Sequence, residues 1–154
     1  MASSTSIDFT EKEKKQYIVV NIGEEQYGID ISFIDNIVKM CKITRVPKVQ
    51  DYFKGIINLR GEIVPVMSIR TKMGLENDEY TKTTRIIILK LEAGMIGIVV
   101  DAVKEVVALS EDEIDRTAQS SKANANFING IGKNGEELIS LLDLSAVVDA
   151  SIVA

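Results

Sequence analysis

The sequence predicts a mainly-β fold assembled from two similar halves, with only short helices between the strands. Three observations predict it. Short runs rich in Ile and Val are separated by Gly, Asn, Asp and Ser, the composition of strands joined by turns. The runs of the first half recur in the same order in the second, as an internal duplication would leave them. Glycines fall at matching places in both copies.

Taken in order, Met1 to Lys15 is polar, carries the mixed-charge run Glu11-Lys12-Glu13-Lys14-Lys15 and lacks the apolar core of a signal peptide. It reads as a disordered tail. Gln16 to Ile22 is the first strand. Asp30 is placed to cap a short helix that sets Ile31, Ile34 and Ile37 or Val38 on one face. Gly55 to Arg60 and Glu62 to Ile69 read as a hairpin, followed by strands over Arg85 to Leu91, Met95 to Asp101, Glu105 to Leu109 and Glu137 to Leu144. Ser145 starts a last helix through Ala146-Val147-Val148, and 149–154 is a tail.

The repeat aligns Gln16 to Ile22 with Arg85 to Leu91, and Tyr27-Gly28-Ile29 with Ile96-Gly97-Ile98. Ile31, Ile34, Ile37 and Val38 then fall on Val100, Val103, Val106 and Val107. After an insertion, Gly55-Ile56 matches Gly130-Ile131, and Glu62 to Val66 matches Glu137 to Leu141. The halves span about 16–80 and 84–148. Each is near the lower size limit for independent folding, so the two are expected to share a core or intertwine.

Composition narrows the chemistry. The chain has no histidine and one cysteine, Cys41, which removes Ser-His-Asp and Cys-His catalysis and nearly every zinc site. No internal disulfide can form, and Cys41 reads as a small strand residue. The acidic clusters Glu76-Asn77-Asp78-Glu79 and Glu111-Asp112-Glu113 lie between apolar runs and lack the glycine of a calcium loop. Gly130-Ile131-Gly132-Lys133-Asn134-Gly135 fits G-x-G-x-x-G, but too little chain follows it for a dinucleotide unit. Its Asn134-Gly135 is a hairpin signal instead. No cofactor is expected. Against 23 acidic residues the 18 basic ones are scattered, so neither nucleic acid nor an anionic membrane surface is an expected partner. The apolar runs fall short of the roughly 20 residues that a spanning helix needs, so no direct membrane insertion is expected.

Arg60 stands out within Gly55-Ile56-Ile57-Asn58-Leu59-Arg60-Gly61-Glu62. Its place in the second copy is taken by Gly135-Glu136, so the hairpin does not require an arginine. Arg60 is a candidate for partner contact, where the guanidinium fork makes several directional bonds. The bland alternative is a solvated turn arginine, or one paired with a neighbour such as Glu62.

These segments, with Gln26-Tyr27-Gly28-Ile29-Asp30-Ile31, Ile43-Thr44-Arg45-Val46-Pro47 and Gly97-Ile98-Val99-Val100-Asp101, resemble the CheW family of chemotaxis coupling proteins over about residues 16–148. The resemblance implies two intertwined five-stranded SH3-like β-barrel subdomains and a non-catalytic adaptor. Such an adaptor links the cytoplasmic tip of chemoreceptors, a helical hairpin, to the regulatory domain of the histidine kinase CheA. It implies a cytoplasmic protein, held at membrane-associated receptor arrays through its partners.

By family position, Ile31, Ile34, Ile37 and Val103 would line a receptor groove, with Asn36 and Arg60 beside it and Gly55 and Gly61 supporting the hairpin. Plain core packing is the alternative for the isoleucines, and a backbone that tolerates no side chain is the alternative for Gly55. Many relatives carry a glutamate at the place of Asn36, able to pair with the arginine. Here Arg60 must turn to another carboxylate, such as Asp35 or Glu62, or remain free for the partner. Kinase-contact residues are not assigned. A coupler of a non-motility pathway would look the same, and a small carboxylate-based enzyme on a β-barrel is the reading from another class.

Overall fold

The computed structural model describes residues 13–47, 49–76, 79–116 and 127–148. The expected C-terminal tail and most of the expected N-terminal tail lie outside them. So do Asn77 and Asp78 of the first acidic cluster.

The described residues form eleven strands: β1 (Lys14–Ile22), β2 (Glu25–Asp30), β3 (Ile34–Lys39), β4 (Phe53–Leu59), β5 (Glu62–Ser68), β6 (Arg85–Leu91), β7 (Gly94–Val100), β8 (Ala102–Ser110), β9 (Ile114–Asp115), β10 (Ile128–Asn134) and β11 (Glu137–Leu142), with tight hairpins joining β1 to β2, β4 to β5, β6 to β7 and β10 to β11. Short helices, Ile69–Lys72 and Leu144–Val147, follow β5 and β11. The strands form two sheets. One has the order β8-β1-β2-β11-β10-β9 and the other β3-β6-β7-β5-β4.

Each sheet therefore draws strands from both halves of the sequence. In the first, β1 and β2 are flanked by β8 and β11; in the second, β6 and β7 are flanked by β3 and β5. The matching parallel seams, β2 with β11 and β7 with β5, pair Gly28 with Leu141 and Gly97 with Val66. These glycines are needed for closeness of approach. A Cβ on Gly28 would stand 2.8 Å from Leu141 Cδ2, and one on Gly97 would stand 2.8 Å from Ile86 Cγ2.

Core packing explains why the central strands read as unbroken apolar runs. A central cluster takes Ile18 and Val20 of β1 with Ile87 and Leu89 of β6. The opposite faces of the same strands feed two outer clusters, Tyr17 and Val19 in one and Ile86 and Ile88 in the other. A strand buried on both faces has no polar side to alternate.

Several boundaries differ from the sequence reading, and four of the differences have a visible physical cause. β1 starts at Lys14, because Lys14 and Lys15 pair with Ser110 and Leu109 of β8, so the end of the expected tail is strand. The helix expected after Asp30 is only a 3₁₀ turn, Ile31–Phe33, capped by a 2.9 Å bond from Ser32 N–H to Asp30 Oδ1. The chain beyond it is β3, since β-branched Ile34, Ile37 and Val38 find a ladder of partners on β6. The last helix is capped by Asp143, whose carboxylate accepts from Ser145 N–H, and spans Leu144–Val147. Finally, Asn134 still pairs with Glu137, so the second hairpin turns on Gly135-Glu136 and not on Asn134-Gly135.

Candidate functional site: the seam between the sheets

β3 and β8 are edge strands of different sheets, and each carries a bulge. On β3 the register against β6 shifts between Ile34 and Asn36, leaving Asp35 as the extra residue. On β8 the register against β1 shifts so that Val103 and Glu105 pair while Lys104 is extra. A bulge re-aims the side chains around it. Ile34 and Ile37, opposite Leu89 and Ile87, thereby both face the central cluster and pack against it half-buried. Val103, opposite Val20, packs against the same cluster from the other sheet.

Three of the apolar residues singled out from sequence thus meet on one cluster. Ile31, in the 3₁₀ turn, is 36% exposed and outside the buried core. Val106, which the sequence alone does not mark as a site residue, stands opposite Ile18 and is 50% exposed. The repeat that aligns it with Ile37 was the available signal.

The two bulge residues carry opposite charges, and each reaches a hairpin of its own sheet. Asp35 Oδ2 accepts from Arg60 Nη2 at 3.4 Å. Lys104 Nζ donates to Glu137 Oε2 at 2.8 Å and to Gln26 Oε1 at 3.1 Å. The Lys104 bond is the main reason the Glu137 pKa lies below, and the Lys104 pKa above, its ordinary value. Asn36 does not take the arginine; its Oδ1 accepts from Ile37 N–H.

Arg60 and Gly61 form a two-residue loop between the paired Leu59 and Glu62, with φ of +53° and +88°. Positive φ at both positions is the type I′ geometry, for which Asn-Gly is the favoured sequence. Arg60 is the one non-glycine residue with positive φ among those described. Asn58 closes the loop by accepting from Gly61 N–H at 3.0 Å, and the Arg60 side chain stays 68% exposed. Gly55 has a purely local reason: at φ +141° a Cβ would stand 2.1 Å from Thr44 O, which bonds Ile56 N–H at 2.8 Å.

A separate surface concavity of about 940 Å³ lies between Met40, Ile43, Phe53 and Tyr80. It includes exposed Cys41 but none of the seam residues. Among the described residues no group of carboxylates and cysteines is arranged to hold a metal ion, and no helix is long and apolar enough to cross a membrane.

Fold and site together define a duplicated β-sheet interaction module. Between its two sheets lies an apolar seam flanked by oriented charges. Residues 16–151 match the CheW-like domain family, and the chain belongs to that family. It is 33% identical to the chemotaxis protein CheW of Helicobacter pylori over 147 residues, covering 96% of this chain and 89% of the relative. Against the chemotaxis protein CheW of Bacillus subtilis it is 33% identical over 139 residues, covering 90% and 89%. The crystal structure of the scaffolding protein TtCheW from Thermoanaerobacter tengcongensis superposes with a TM-score of 0.79 at 33% identity, over 86% of this chain and 90% of that one. The protein is a non-catalytic CheW-family scaffold that couples chemoreceptors to the kinase CheA.

Proposed function

We propose that the seam between the two sheets receives the helical hairpin at the cytoplasmic tip of a chemoreceptor. One observation carries this reading: Ile34 and Ile37 from one sheet and Val103 from the other lie half-buried on a single apolar cluster. An amphipathic helix buries its apolar face in such a surface and leaves polar contacts at the rim. Ile31 extends the apolar surface, and Asn36 and Arg60 stand at its polar edge.

On this reading the protein acts in the cytoplasm and reaches the membrane-associated array through its partners. The chain divides at about 16–80 and 84–148 with strands exchanged, and each sheet closes toward an SH3-like barrel. The regulatory domain of CheA docks outside the seam.

The test mixes the protein with its kinase and a soluble receptor-tip fragment, then measures pairwise binding and kinase phosphorylation. Binding to both, with phosphorylation placed under control of the receptor fragment, is expected. Ile34→Asp should abolish binding to the receptor fragment and spare the kinase. Wild-type protein that binds neither partner and leaves phosphorylation unchanged would overturn the proposal.

A further inference from the structure

Along the described strands the chain passes between the two sheets at two places, β2 to β3 and β7 to β8. The first crossing is the 3₁₀ turn capped by Asp30. The second is a single residue, Asp101, between Val100 at the end of β7 and Ala102 at the start of β8.

Asp101 is held from four directions. Its carboxylate accepts from Arg70 Nε at 3.0 Å and Arg70 Nη2 at 2.6 Å, and from Gly23 N–H at 2.8 Å. Its own N–H donates to Asn21 O at 3.0 Å, and its carbonyl accepts from Thr83 Oγ1 at 2.9 Å. Arg70 belongs to the helix after β5 and follows Ile69, which is fully buried in the central cluster. Gly23 lies in the turn between β1 and β2, on the other sheet. The corner thus ties one sheet, the helix attached to it and the opposite sheet together two residues before Val103.

We propose that Asp101 and Arg70 are positioning residues for receptor coupling: they fix how β8 leaves β7, and so where Val103 stands relative to Ile34 and Ile37. The inference rests on the reading of the seam as the receptor-binding surface. The forked, two-bond geometry is what makes the pair suitable. A planar guanidinium against a carboxylate fixes direction as well as distance, which a lysine ammonium does not. With the corner loosened, the apolar residues remain but their spacing across the seam is no longer set.

The experiment compares wild type with Asp101→Asn, Arg70→Lys and Arg70→Met at a temperature where each is fully folded. Asp101→Asn keeps an acceptor for Gly23 N–H and loses the charge pair; Arg70→Lys keeps the charge and loses the fork. Affinity for the receptor-tip fragment should fall about tenfold in Asp101→Asn and Arg70→Met, the scale of coupling between contiguous packed residues. Arg70→Lys should fall between them and wild type. Methyl resonances of Ile34, Ile37 and Val103 should move, while those of Ile57 and Val64 in the outer cluster stay in place.

Should Asp101→Asn fail to fold, the two Arg70 variants carry the same comparison. Wild-type affinity in the folded variants overturns the proposal, as do methyl shifts spread evenly over all clusters, which mark a merely structural pair. The Ile34→Asp control separates the two levels. If it abolishes binding while the corner variants bind normally, the positioning role alone fails; if it binds normally, the seam reading fails and takes the positioning role with it.

Discussion

Replacing Arg60 by asparagine should leave the protein as stable as wild type or more so, while receptor binding falls. An L-residue other than Gly, Asn or Asp in the left-handed region costs about 1–2 kcal/mol, and Arg60 sits there at φ +53°. Asparagine tolerates that conformation and relieves part of the cost, about 1 kcal/mol. Against this stands the lost ion pair with Asp35. At 3.4 Å and with the arginine 68% exposed, such a pair contributes about 0.2–1 kcal/mol. The net change in stability is therefore between about zero and about 1 kcal/mol in favour of the variant. A truncated interface arginine, by contrast, commonly costs about 2 kcal/mol of binding, roughly 30-fold in Kd. Urea unfolding measures the first quantity and calorimetric titration with a receptor-tip fragment the second. A stability loss above about 2 kcal/mol with unchanged binding would refute the reasoning and make Arg60 a structural residue.

Gly55→Ala should destabilise by about 3 kcal/mol or more, since its new Cβ would meet the Thr44 carbonyl. Gly61→Ala has nothing within 4 Å of the new Cβ but keeps the strained φ, so its loss in urea unfolding should be smaller, about 1–2 kcal/mol. Asp101 gives a pH signature. Burial alone would raise its pKa, but the Arg70 fork and the Gly23 N–H outweigh that and hold it below the ordinary carboxylate value. A carboxylate depressed in the folded state contributes stability above its unfolded pKa, and that contribution is lost as pH falls through the folded pKa. The stability gap between wild type and Asp101→Asn should thus be full at neutral pH and close in acid; a gap independent of pH would contradict the charge pair.

Much of the fold was legible because its signals are local. Tyr17 to Ile22 and Arg85 to Leu91 declare themselves as strands by composition, and the paired glycines Gly28 and Gly97 mark the same close approach in both copies. The segment after Asp30 reads as a helix because Ile31, Ile34 and Ile37 match a helical spacing. In the structure the bulge at Asp35 brings Ile34 and Ile37 to one face of a strand, and a bulge leaves no reliable mark in sequence. Arg60 was legible by contrast with Gly135-Glu136, and its partner was narrowed to a carboxylate such as Asp35 or Glu62, of which the structure selects Asp35. With Asn36 in place of a carboxylate, only the re-aimed side chain of Asp35 decides where the guanidinium bonds. Asp101 shows no role in the sequence, because Arg70, Gly23 and Thr83 are far from it along the chain.

By itself the sequence determined the strand-rich character, the duplication, the family resemblance and the absence of histidine chemistry, all properties of residue type and short-range order. Only the tertiary structure decided that each sheet takes strands from both halves, and that β3 and β8 bring Ile34, Ile37 and Val103 onto one cluster. The physical reason is that strand partners and edges are chosen by long-range pairing and shared burial. A chain of apolar runs leaves those choices open until both halves pack around the same core.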